Sequence, residues 1–133
     1  MRTFTSCDGL SIRVGENAAE NQRLCKQAKQ NDLWFHLEGQ SSPHAILSVG
    51  GGKQGKNNAL RSSLHECQQL VKHFSSAREA RCASVIWIEA KWVSKNGVED
   101  KVGAVTLKKT PKRTSVVADA GTIESLTAAK KRE

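Results

Sequence analysis

The sequence predicts an α+β domain, a mixed and mostly antiparallel sheet with two or three helices packed against one face. Three observations predict it. Short runs over 10–14, 32–38, 103–108 and 114–118 alternate apolar and polar residues at the period of a strand. One longer segment, 59–77, repeats its apolar residues at the period of a helix. Clusters of Gly, Ser and Pro separate the runs at hairpin-like spacing.

Taken in order, the start of the chain moves straight into a strand-like segment, with no apolar stretch of the kind a signal peptide needs. Leu10, Ile12 and Val14 alternate as a strand that Gly15 ends, and 20–29 reads as a short helix with Leu24, Cys25 and Ala28 on one side. Strands at 32–38 and 44–49 follow, joined by the turn Gly39-Gln40-Ser41-Ser42-Pro43. Because alternate strand residues share a face, Asp32, Trp34 and His36 point one way and Leu33, Phe35 and Leu37 the other. The 59–77 helix carries one apolar stripe, Leu60, Leu64, Cys67, Val71 and Phe74, with Arg61, His65, Gln69 and Lys72 falling off it. A near-continuous apolar strand spans 84–93. Trp87 and Trp92 have opposite parity along it, so a regular strand buries at most one, and Trp92 is the expected exposed stacking platform. Gly97 and Pro111 mark the turns around the last strands, and 122–133 forms a helix capped by Thr122. This gives one domain over 1–118 and a basic helix or tail over 119–133.

The 133 residues suffice for one core, and no apolar run reaches the ~18 residues of a membrane span. Cys7, Cys25, Cys67 and Cys82 are widely spaced, which fits reduced thiols better than disulfides or zinc. The net charge of +8 is unevenly spread. Residues 1–40 hold five charges of each sign, 41–90 six basic and three acidic, and 91–133 ten basic and five acidic. A positive excess that grows along the chain is the footprint of a polyanion binder.

Two segments carry candidate chemistry. The run from Gly50 to Asn57 fits the spacing GxxxxGK between a strand and a helix, as a nucleotide-binding loop requires. Asn57 stands where a hydroxyl should hold magnesium, and too little chain follows for the usual sheet, so the expected role is backbone binding of phosphate, helped by Lys53 and Lys56, without hydrolysis. The second segment is Asp32-Leu33-Trp34-Phe35-His36 followed by Pro43-His44. Read alone, it fits a core strand with a structural histidine as well as a site. If the two strands form a hairpin, His36 and His44 flank its tip, within reach of one phosphate or base. His65 and His73 have no spacing that ties them to the hairpin, so no metal site is expected. Asp32 with Glu38 is a poor start for magnesium-dependent nuclease chemistry.

Gly9-Leu10-Ser11-Ile12-Arg13-Val14-Gly15, Glu20-Asn21, Asp32-Leu33-Trp34-Phe35-His36, Ser42-Pro43-His44 and Trp92-Val93-Ser94-Lys95 together resemble the NFACT-R domain family in order and spacing, from about Phe4 to Val117. Pro43 stands where a typical member has glycine or serine. The family is the RNA-binding module of ribosome-associated quality-control factors and of short relatives. Its larger members carry an amino-terminal domain and a coiled-coil arm, so activities needing those are not expected of this segment.

The resemblance implies a non-catalytic module that binds tRNA or ribosomal RNA, with the large ribosomal subunit as a partner, in the cytoplasm or alternatively the nucleus, and without cofactor or membrane. His36 and His44 would donate to phosphate or 2′-hydroxyl oxygens. Trp34 would brace the strand or stack, and Asp32 would orient a histidine or cap a turn. Trp92 would offer its ring, and Lys95, Lys101, Lys108, Lys109, Lys112 and Arg113 would supply the electrostatic part. A double-stranded DNA binder and a protein-interaction module are the alternatives from other classes.

Overall fold

Arg2–Thr5 (β1) and Ser11–Val14 (β2) pair antiparallel, and the Ser6 hydroxyl closes their connection by accepting from the backbone N–H groups of Asp8 and Leu10. The computed structural model describes residues 1–40, 42–49, 60–94 and 107–132. The 50–57 loop with Lys53 and Lys56, the positions of Lys95 and Lys101, and most of the expected 103–108 strand lie outside the described residues. Leu107, at the end of that strand, bridges Val93.

The first helix, Ala18–Gln27 (α1), begins two residues earlier than its apolar pattern predicts, because the Asn17 side chain caps it by accepting from the Glu20 N–H at 2.9 Å. Leu33–Leu37 (β3) and Ala45–Leu47 (β4) form the expected hairpin. Gly39 takes a positive φ of 68° that a side chain would strain, and the Ser42 hydroxyl accepts from the Leu37 N–H at 2.9 Å. After the long helix Leu60–His73 (α2), Cys82–Glu89 (β5) pairs with β3 and with Lys112–Val117 (β6). The sheet runs β1-β2-β4-β3-β5-β6 with every described pairing antiparallel, and Ala120–Arg132 (α3) follows.

The α+β class read from the sequence is the one observed. Three details differ. First, β5 stops at Glu89 and not at residue 93. The N–H of Ala90 donates to the carbonyl of Asp32 at 2.7 Å and that of Lys91 to Gln30, which draws the chain into a 3₁₀ turn, Ala90–Trp92. The parity argument about Trp87 and Trp92 assumed a regular strand and lapses there. Second, the cap of α3 is Asp119, whose carboxylate accepts from both the backbone N–H and the hydroxyl of Thr122, the residue the sequence offers as cap. Third, the helices divide between the two faces of the sheet.

The inner face, carrying Ile12, Val14, Leu33, Phe35, Leu37, Leu47 and Val85, packs on Cys67, Leu70 and Val71 of α2. Phe4 of one edge strand, Val116 of the other and Leu126 of α3 join the same core, so the sheet curls around α2 and α3 packs against both α2 and β1. On the outer face Leu24, Cys25 and Ala28 of α1 cover Trp34, Ile46 and Ile88. Among the described residues no helix is long and apolar enough to cross a membrane.

Candidate nucleic-acid interface

The strand register aligns the outer-face residues in rows across the sheet. Phe35 opposes Ala45 and His36 opposes Ile86, which in turn opposes Arg113, so the next pair along the β3/β4 hairpin is His36 beside His44. One row therefore reads His44, His36, Ile86, Arg113. α1 buries its first member, while Arg113 at the far end is exposed.

His44 is 3% exposed. The indole N–H of Trp34 donates to its Nδ1 at 3.0 Å, and Cys25 Sγ lies 3.3 Å from the same nitrogen. An indole nitrogen only donates, so Nδ1 is the unprotonated acceptor and the ring proton sits on Nε2. The backbone N–H of His44 donates to Asn21 Oδ1 at 3.1 Å, and Gly15 donates its own N–H to the His44 carbonyl at 3.0 Å. Gly15 is required where it stands, because a Cβ there would collide with the Asn21 side chain. His36 stacks parallel on Trp34, with ring centroids 5.7 Å apart, and meets the edge of His44 at 4.9 Å. Burial pushes the His36 pKa below the ordinary 6.5, so at neutral pH the ring is an uncharged donor and acceptor.

The histidine pair thus assembles as the hairpin predicts, but its members differ in role. His36 is half-buried and reaches the surface. His44 and Trp34, expected to contact nucleic acid or to brace the strand, are both buried, and they set the position of the His36 ring. Asp32 is buried at the opposite end of β3. Its carboxylate accepts from the Lys29 N–H at 3.0 Å and lies 4.0 Å from Arg13, so of its two expected roles it takes the turn cap and orients no histidine.

The basic residues gather at β6. Lys108, Lys109, Lys112 and Arg113 are all exposed. Arg113 is held in a fork by both oxygens of Glu38, which also accepts from the Ser84 hydroxyl at 3.1 Å. Arg113 holds the Glu38 carboxyl below its usual range, and Glu38 raises the guanidinium in return. Trp92 is half-buried against the outer core and so less exposed than expected, with the ammonium groups of Lys91 and Lys109 about 5.5 and 5.4 Å from its ring centroid. Lys112 sits in the same way 4.9 Å over Trp87, whose indole N–H donates to the Thr114 hydroxyl. Sequence reasoning missed Asn21, Cys25, Glu38 and Trp87. Each left a trace without a site role: Asn21 in the Glu20-Asn21 motif, Cys25 on the apolar side of α1, Trp87 in the parity of β5, and Glu38 as the acidic residue two beyond His36 on the same face.

Among the described residues no three His, Cys, Asp or Glu side chains converge as a metal ion would require, and none of the four cysteines forms a disulfide.

A family model described as the NFACT protein RNA binding domain matches residues 1–109. The chain is similar to the Rqc2 homolog RqcH of Streptococcus pneumoniae, with 28% identity over 118 residues that make up 84% of this chain and 20% of that protein. It is also similar to the Coiled-coil domain-containing protein 25 homolog of Dictyostelium discoideum, with 33% identity over 81 residues, 61% of this chain and 38% of that one. Among solved structures, the C-terminal part of the fibronectin/fibrinogen-binding protein from Streptococcus suis superposes with a TM-score of 0.79 at 27% identity, over 93% of this chain and 47% of that one. The chain spans about a fifth of the length of the RqcH relatives it matches.

Proposed function

The chain belongs to the NFACT RNA-binding-domain family, and from that premise we propose that it is a non-catalytic module that grips structured RNA, tRNA or ribosomal RNA, in ribosome-associated quality control in the cytoplasm. The observation that carries the reading is the outer-face row in which a buried Trp34–His44 pair fixes His36 at the edge of α1, with the exposed Arg113 in line with it across β5.

His36, neutral and held in one orientation, supplies an N–H for a phosphate or 2′-hydroxyl oxygen without bringing a charge. Charge comes from Lys108, Lys109, Lys112 and Arg113, which track a backbone irrespective of sequence. Arg113 must exchange its Glu38 partner for a phosphate, a swap that two exposed groups make at little cost. Trp34, His44 and Asn21 act only through the position they give His36.

The test is an anisotropy titration of labelled tRNA at ~50 and ~200 mM salt with wild type, His36→Ala and Arg113→Ala, each shown folded by circular dichroism, and with duplex DNA as competitor. Saturable binding that weakens about tenfold or more between the two salts, falls in both variants and resists the DNA is the expected result. Binding that ignores salt, or that the DNA displaces as well as tRNA does, would sink the RNA reading in favour of another partner or a generic polyanion surface.

A further inference from the structure

A second feature lies at the other end of the sheet, where β3 begins and β5 ends. There a cleft of about 270 Å³ is lined by Trp87, Trp92, Leu33 and Ile88, with the exposed Lys109 and Lys112 beside them. Its volume is near the lower end for small-ligand pockets and suits a single nucleotide better than a larger ligand. We propose that this cleft takes one unpaired RNA base, stacked on the tryptophans, with the adjoining phosphates on Lys109 and Lys112. The proposal rests on the RNA-binding reading above and narrows it to RNA with an exposed, unstacked nucleotide.

Two observations favour a base over an apolar peptide side chain. The ammonium groups stand over the ring faces, Lys109 on Trp92 and Lys112 on Trp87, and both lysines are exposed, so a base can take their place on the rings while they swing to its phosphates. The walls are also polarised. Glu89, which also lines the cleft, is paired with Lys91 at 3.4 Å, while the exposed Asn31 amide offers both a donor and an acceptor to a base edge. A paired base cannot enter, because its faces are occupied by its neighbours in the stack and its edge by its partner. Trp87 is braced for the task, stacked on Phe35 at 6.2 Å with its N–H on Thr114.

The experiment compares two RNA hairpins with the same stem, one fully paired and one with a single bulged nucleotide. It follows the three indole N–H signals by ¹H–¹⁵N NMR, assigned through single Trp→Phe variants, and measures affinity by anisotropy. The bulged hairpin is expected to move the Trp87 and Trp92 signals and leave that of Trp34, locked on His44, in place. It should bind about fivefold to a hundredfold more tightly than the paired hairpin. Trp92→Ala should remove that preference. Because Trp92 also packs on the outer core, Lys109→Gln provides a second variant at an exposed position, and it should reduce the preference with the fold intact. If both hairpins bind saturably and alike and the Trp87 and Trp92 signals stay put, the base site is refuted while RNA binding stands. If neither hairpin nor tRNA binds saturably, the RNA reading itself fails and the base site with it.

Discussion

The inner and outer faces of the sheet treat polar groups in opposite ways. Inside, α2 is buried all round over residues 66–72, and its polar residues there fasten the sheet. Gln68 donates to Thr114, Gln69 donates to the carbonyl of Val117 and accepts from the N–H of Asp119, and Glu66 accepts from the N–H of Cys7. These bonds tie β6 and the connection that follows β1, at the two edges, to one helix, and an unpartnered amide or carboxylate there would be costly. Outside, a helix of only ten residues covers the middle of the sheet and leaves β6 exposed, so Glu38 and Arg113 pair where solvent can replace either partner. Polar groups inside, and those that α1 covers outside such as His44 and Asn21, are fixed for structure, whereas Glu38 and Arg113 beyond α1 can exchange partners, which binding requires.

The largest effect should follow from breaking the inner face. Phe35→Ala empties a site with no exposure at all, and its unfolding free energy in urea should fall by about 3–5 kcal/mol. Ile86→Ala, one position along the neighbouring β5 register but on the half-buried outer side, should cost under about 2 kcal/mol in the same titration. Equal losses would mean that the outer face is as tightly packed as the inner one, and the contrast would collapse.

A middle case is Trp34, which lies on the outer face yet is 2% exposed. Trp34→Phe keeps most of the ring and deletes the N–H that His44 accepts, so a loss of about 1–3 kcal/mol is expected from that bond and the packing around it. The same variant should weaken tRNA binding only as far as His36 is released from its orientation, and the His36 ring signals in NMR should broaden or move. A Trp34→Phe protein with unaltered His36 signals would show that the indole bond does not position the site.

Much of the fold was legible in the residues. Period-two alternation placed Trp34 and His36 opposite Leu33, Phe35 and Leu37, and the pattern held because β3 is central and buried on both faces. The stripe of α2 was equally plain, but the burial of Gln69 and Lys72 was not. Gln69 is satisfied by the distant strand β6 and Lys72 by the carbonyl of Arg78 in the turn that folds back after the helix, and nothing local in the sequence records that either partner returns to it. For the site, the hairpin brought His36 and His44 together as the spacing implied. Which of the two is exposed depended on Asn21 and Gly15, whose contact forms only once α1 is docked. That Trp87 and Trp92 line one cleft was not legible, because it follows from the early end of β5, and that end is set by backbone bonds of Ala90 and Lys91 to the segment before β3.

The smallest expected effect is also the most direct probe of exchange on the outer face. Glu38→Gln removes the carboxylate that forks Arg113 and keeps the side chain's size and its capacity to accept from Ser84. Since both partners are solvent-exposed, the thermal midpoint should not move beyond the error of the measurement. The freed guanidinium then meets phosphate without a competitor, and one negative charge leaves the surface beside Arg113. Affinity for tRNA should therefore rise by about two- to fivefold, with the gain shrinking at high salt. Arg113→Ala in the same background should erase the gain. A fall in affinity in Glu38→Gln would instead mean that Glu38 serves to aim Arg113 at the RNA, so that the ion pair is part of the bound geometry and is not exchanged on binding.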